Sequence, residues 1–129
     1  MKNSYEIVWK YYEDEYFSFL GEVWSVSKAK QILIKKPREI VHIDPKLFEP
    51  LIGGFTSFGT IRMGVGIDRN KLSSNKIDLS IPVIIVEKDN GKHMLIDGWH
   101  RLAKALNNKL KQLPAVVLDL IENRQILIR

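Results

Sequence analysis

The chain of 129 residues contains no cysteine. This excludes a disulfide framework, a thiolate zinc site and a cysteine nucleophile, and leaves the redox compartment open. Long apolar runs are also missing, since none approaches the roughly 18 residues that a membrane-crossing helix needs. In the opening residues, MKNSYEIVWKYYEDEY, acids interrupt anything that would serve as the apolar core of a signal peptide. A cytoplasmic protein with no membrane partner is the expectation. The 3 histidines are scattered and make no metal motif, and no two carboxylates have a spacing that implies acid–base chemistry. Gly64-Val65-Gly66 lacks both the third glycine of a dinucleotide fingerprint and the lysine of a Walker loop, and reads as a turn or flap.

The residues that are present suffice for a core. Hydrophobic residues make up 45% of the chain, in regular runs of Val, Ile and Leu, and one domain over residues 1–129 is expected. Residues 1–38 stand outside the recognisable pattern as an N-terminal extension. The net charge is +5, and the first 24 residues hold Glu6, Glu13, Asp14, Glu15 and Glu22 against Lys2 and Lys10. The positive excess therefore belongs to the rest of the chain and favours anionic partners in a general way.

Ser4 to Leu20 is rich in aromatics without a clean period. Ser27 is placed to cap a short helix through about Ile34, with Ala29, Ile32 and Leu33 as its apolar stripe and Pro37 barring continuation. Lys28, Lys30, Lys35, Lys36 and Arg38 would lie on or after its exposed side, either as a solvated face or as a nucleic-acid contact. Glu39 to Ile43 reads as a strand. Asp44-Pro45 then starts a helix over Lys46 to about Ile52, ended by Gly53-Gly54. From Gly53 to Gly66 the composition suits an irregular loop, and Asp68 to Lys76 a polar connector. The later half is clearer. Pro82 opens a strand over Val83 to Glu87, Asn90-Gly91 makes a tight hairpin turn, and His93 to Asp97 returns as the partner. Trp99, Leu102, Ala103 and Leu106 have helical spacing, and Asn107-Asn108 ends that helix. Ala115 to Leu120 reads as a buried strand, and Gln125 to Ile128 as a last one.

The chemistry concentrates in Asp97-Gly98-Trp99-His100-Arg101. A helix starting near Trp99 leaves its first-turn N–H groups without internal partners, at the positive end of its dipole, which is a natural anion site. Gly98 permits a tight turn and close approach of a ligand oxygen. Arg101 offers a planar fork of donors, and His100 an imidazole donor. Competing structural roles are an N-cap for Asp97, a core anchor for Trp99 and a salt bridge for Arg101. Glu39, His42 and Asp78 are the alternatives for a general base, and nothing in the sequence selects among them.

The stretch IPVIIVEKDNGKHMLIDGWHRLAKAL, within about Leu79 to Leu120, resembles the ParB/sulfiredoxin-like superfamily, and EIVHIDPKLFEPLI looks like that family's first strand and helix. The resemblance implies an α+β fold, a small mixed β-sheet with flanking helices. It also implies that Gly98, Trp99, His100 and Arg101 bind nucleotide phosphate, with Asp97 and His100 as catalytic candidates. The nucleotide would be ATP or CTP, or ADP, with Mg²⁺, as for sulfiredoxin, chromosome-partition proteins and an archaeal free serine kinase. Trp99 occupies the position of the sulfiredoxin cysteine, so sulfiredoxin chemistry is excluded. A phosphotransferase or NTPase is one expectation, and a non-catalytic module binding nucleic acid or protein is the other.

Overall fold

The computed structural model describes residues 7–13, 15–52, 54–55, 61–62, 65 and 77–128, with backbone alone for 54–55 and 61–62. In chain order the elements are β1 (Tyr16–Phe19), β2 (Glu22–Ser25), α1 (Val26–Lys35), β3 (Val41–Ile43), β4 (Gly54–Phe55) and β5 (Ile61–Arg62). After these come β6 (Val83–Glu87), β7 (His93–Asp97), α2 (Trp99–Asn107), β8 (Leu113–Leu118) and α3 (Leu120–Ile126). The fold is α+β.

The central sheet has the order β3-β8-β6-β7. Its hairpin β6–β7 is antiparallel, while β8 lies parallel to β6 with Ile84 against Val116 and Ile85 against Val117. A parallel neighbour cannot be reached through a tight turn, so the chain crosses over through α2 between β7 and β8. Val83, Ile84, Ile85 and Val86 are all buried, as befits a strand covered on both faces. The Asn90-Gly91 turn is present, with Gly91 at φ +75°, and α2 runs to Asn107 as its apolar spacing requires. Residues from Trp9 to Ile126 contribute to one core cluster.

Several local expectations change. Ser25, not Ser27, caps α1, accepting from the Lys28 N–H at 3.1 Å. Ser27 is buried and used elsewhere: its Oγ donates to the Tyr12 carbonyl at 2.6 Å and accepts from the Glu15 N–H at 2.8 Å. The first sheet strand is shorter than Glu39 to Ile43, only Val41–Ile43 pairing with β8. Asp44 caps as expected, but it opens two successive 3-10 turns, Pro45–Leu47 and Glu49–Leu51, instead of a continuous helix. Pro50 explains the break, because it lacks the N–H that a helix interior needs. Within the expected irregular loop, Gly54 and Phe55 pair with Arg62 and Ile61. The remainder of that loop except Val65, and the connector from Asp68 to Lys76, lie outside the described residues.

At the C-terminal end, β8 spans Leu113–Leu118 and stops before the expected Leu120. Instead of a last strand over Gln125 to Ile128 there is α3, set by a complete capping box: Asp119 accepts from the Glu122 N–H at 2.8 Å, and Glu122 accepts from the Asp119 N–H at 3.0 Å. Extended backbone resumes only at Leu127, which bridges to Trp24.

Candidate functional site: a cavity at the start of α2

Gly98 is the N-cap of α2 and lies in the left-handed region, φ +102° and ψ 23°. Asp97 therefore does not cap the helix, contrary to the expectation from sequence. A register shift between β6 and β7 sets its position: Ile85 faces Leu95 but Ile84 faces Asp97, so Ile96 is an extra residue. A bulge of one residue exchanges the face that the next side chain occupies and re-aims it. Asp97 is thereby delivered to two cations. Its Oδ2 lies 3.0 Å from Arg101 Nη2 and 3.8 Å from Lys30 Nζ. Among the described residues, Asp97 Oδ1 has no protein partner.

Gly98 is required for a reason other than ligand approach. A Cβ added there would lie 2.5 Å from Val83 Cγ1 and 3.0 Å from Arg101 Nη2, so β6 packs directly over its Cα. Arg101 fastens the same corner. Its Nη1 donates to the Ile81 and Pro82 carbonyls at 2.9 and 2.8 Å, while Nη2 donates to Asp97. The guanidinium holds the strand entrance, the loop and the helix start together. Trp99 is a core anchor, buried, with its Nε1 donating to the Leu95 carbonyl at 3.0 Å and its ring stacked 6.0 Å from Phe17 and edge-on to Phe48. That burial commits the Trp99 ring to the core, at the border of the cavity.

A cavity of about 730 Å³ opens against this corner, with Asp97, Gly98, His100 and Arg101 on one side and Asp78 and Ile81 near them. His100 is half-buried and lines it. Of the three alternatives for a base, Asp78 is at the cavity, where its Oδ1 also accepts from Ser80 N and Oγ at 2.9 and 2.6 Å. Glu39 and His42 are exposed and do not line it, because β3 sits at the far edge of the sheet, separated from β7 by β8 and β6.

The N-terminal part of the chain also lines the cavity, a contribution that sequence reasoning missed. Glu15, Tyr16, Phe17 and Val26 line it. Lys30, expected on an exposed basic face, is 8% exposed and donates to Glu15 Oε2 at 3.0 Å and to the Lys10 carbonyl at 2.8 Å. The apolar stripe of α1 is broader than Ala29, Ile32 and Leu33 suggest, and Lys30 lies within it. An aliphatic stem suits such a place when its charged end finds partners. Arg38 is likewise committed: Nη1 and Nη2 donate to Glu122 Oε1 and Oε2 at 2.6 and 2.8 Å. Of the five basic residues read as a patch, Lys28, Lys35 and Lys36 remain exposed.

Hydrogen bonding from Arg38 holds the Glu122 carboxyl below its usual range, aided by the Asp119 N–H and by the charges of Arg38 and Lys36, against the opposing effect of burial. A second hollow of about 380 Å³, lined by Ile43, Leu47, Phe48, Ile85, His93 and Val117, is apolar with a single ionisable side chain. It lacks the converging polar groups that fix a ligand's orientation, whereas the cavity at α2 has them. Among the described residues no group of three or more His, Asp or Glu is placed to hold a metal ion, and no helix is long and apolar enough to cross a membrane. No family model matches the chain, and neither does any curated protein or solved structure.

Proposed function

We propose that this chain is a nucleotide-binding domain that holds phosphate at the start of α2. The observation that carries the reading is the cavity of about 730 Å³ lying against the N-terminus of this nine-residue helix, beside His100 and Arg101. First-turn N–H groups have no acceptor inside a helix, and the helix dipole favours an anion there. The volume falls in the range of about 300–1,000 Å³ typical of small-molecule sites. The likeness of Asp97 to Arg101 to the phosphate loop of the ParB/sulfiredoxin-like superfamily supports a nucleotide, ATP or CTP or ADP, as the source of that phosphate.

In this reading the residues divide by task. Backbone N–H groups of Trp99 and Arg101 and the His100 side chain receive phosphate oxygens. Arg101 acts mainly as a positioning residue, because its fork already holds two carbonyls and Asp97, yet its charge adds to the local positive potential. Lys30 and Arg101 together offset the charges of Glu15 and Asp97, so these two carboxylates do not repel an anion outright. The donor set fits Mg²⁺ only as a partner of the phosphates: Asp78 offers the hard oxygen that such an ion takes in small number, with phosphate and water completing its shell. Bound there, Mg²⁺ would neutralise phosphate charge. In a phosphotransferase or NTPase built on this site, Asp97 Oδ1 is the oxygen placed to accept a proton from the attacking hydroxyl or water.

Isothermal titration with ATP, CTP, GTP and ADP in Mg²⁺ tests the reading. At least one nucleotide should bind, and His100→Ala should weaken that affinity about tenfold, the loss of one charge-assisted contact. Native protein that binds none of the four contradicts it.

A further inference from the structure

The cavity has two unlike walls, and, given the phosphate reading on which this inference rests, their difference bears on which part of a ligand sits where. The polar wall is the α2 corner. The start of β1, which meets that corner where Phe17 stacks on Trp99 and Lys30 lies between Glu15 and Asp97, contributes two aromatic residues in different states. Phe17 is spent on the core: its ring stacks on Trp24 at 5.9 Å and on Trp99 at 6.0 Å. Tyr16 is 55% exposed, lines the cavity, and among the described residues stacks on no other ring.

The rim at Tyr16 is held in place from several directions. Val26 N–H donates to the Glu15 carbonyl at 2.9 Å, and the Glu15 carboxylate accepts from the buried Lys30 ammonium at 3.0 Å. Ser27 Oγ accepts from the Glu15 N–H at 2.8 Å. The residue before Tyr16 is thus pinned through its N–H, its carbonyl and its side chain to α1. Lys30 also faces Asp97, so the same ammonium spans both walls. An exposed aromatic on a fixed backbone loses little entropy when a flat group settles on it, and every nucleobase offers a π-face.

We infer that Tyr16 is the platform on which the base of the bound nucleotide stacks, so that the site takes whole nucleotides in preference to bare polyphosphate. The ligand spans the cavity with its phosphates at α2 and its base at β1. The aromatic pocket wall and the phosphate corner come from segments far apart in the chain, joined by Lys30.

The test is calorimetric titration of ATP and of inorganic tripolyphosphate, each with Mg²⁺, into native protein, Tyr16→Ala and Tyr16→Phe, with thermal melting of each variant alongside. ATP should bind native protein about tenfold or more tighter than tripolyphosphate, in keeping with one base–aromatic stack. Tyr16→Ala should remove that advantage while leaving tripolyphosphate binding as it was, and Tyr16→Phe should retain it. ATP affinity unchanged in Tyr16→Ala overturns the base platform and leaves the phosphate reading standing. Absence of binding by both ligands to native protein, with CTP, GTP and ADP also failing to bind, overturns both. Tyr16 is largely exposed, so neither substitution should shift the melting temperature; equal loss of both ligands together with a lowered melting temperature would assign Tyr16 a structural role and overturn the inference.

Discussion

Two ion-paired clusters tie this fold together, and they differ in what they leave open. At one, Arg38 meets Glu122 by two parallel hydrogen bonds, Glu122 Oε1 also accepts from the Asp119 N–H, and Arg38 also donates to the Val117 carbonyl at 3.2 Å. Both carboxylate oxygens are satisfied and Glu122 is 7% exposed. At the other, Asp97 presents Oδ2 to both Arg101 and Lys30 and keeps Oδ1 beside a cavity. The first cluster is closed and fastens the segment after α1 to β8 and α3. The second fastens β6, β7 and α2 in the same way, yet its remaining acceptor and its helix start face open space. A polar network with capacity left over at a concave surface is where ligand chemistry is expected; a saturated one is where stability is expected.

Substitutions should separate the two clusters. The largest effect is expected from Gly98→Ala, which places a methyl group 2.5 Å from Val83 Cγ1 on a backbone of positive φ. Overpacking and left-handed strain together should cost about 3 kcal/mol or more, read as a lowered midpoint in urea unfolding. Arg38→Ala should cost about 2–4 kcal/mol, because it leaves the buried Glu122 carboxylate without its cation. Nucleotide affinity of the folded fraction should be unchanged, since Arg38 does not line the cavity. A measured loss of affinity in Arg38→Ala without loss of stability would dissolve the distinction between the clusters.

A smaller, graded effect comes from pH. The Glu122 carboxyl is depressed in the folded state, so the unfolded chain binds its proton first as pH falls. Its contribution to stability is complete above the unfolded value of about 4.3 and is lost as pH falls through the lower, folded value. Urea midpoints taken from pH 7 to pH 2 should decline in that acid range, and the part due to Glu122 should vanish in Glu122→Gln. The same decline in both proteins would contradict the assignment.

The two clusters also differ in how far the sequence reveals them. The stretch from Val83 to Asn107 is legible because its signals are local: a proline-opened apolar strand, an Asn-Gly turn, and helical spacing from Trp99 to Leu106. The corner at Asp97 is legible as a helix start, but its cap is not, since the bulge at Ile96 depends on pairing with β6 and leaves no trace in neighbouring residues. Glu15 and Tyr16 are invisible as site residues because they reach the cavity across the fold, and Lys30 reads only as part of an exposed basic face; a lysine inside an apolar helical stripe looks like a solvated one until its partners are known. The two ends of α3 fall within the stretches read as strands, Ala115 to Leu120 and Gln125 to Ile128, although a helix signal is present in sequence: Asp119 and Glu122 have the spacing of a capping box.

The most direct measurement is a heteronuclear NMR titration of isotopically labelled protein with the nucleotide that binds best, in Mg²⁺, monitoring backbone amides. Large, saturable shifts are expected at Trp99 and Arg101 and at Tyr16, with Arg38 and Glu122 unmoved. Saturable binding that shifts residues around Arg38 and Glu122 and leaves the start of α2 unchanged would contradict a phosphate site there.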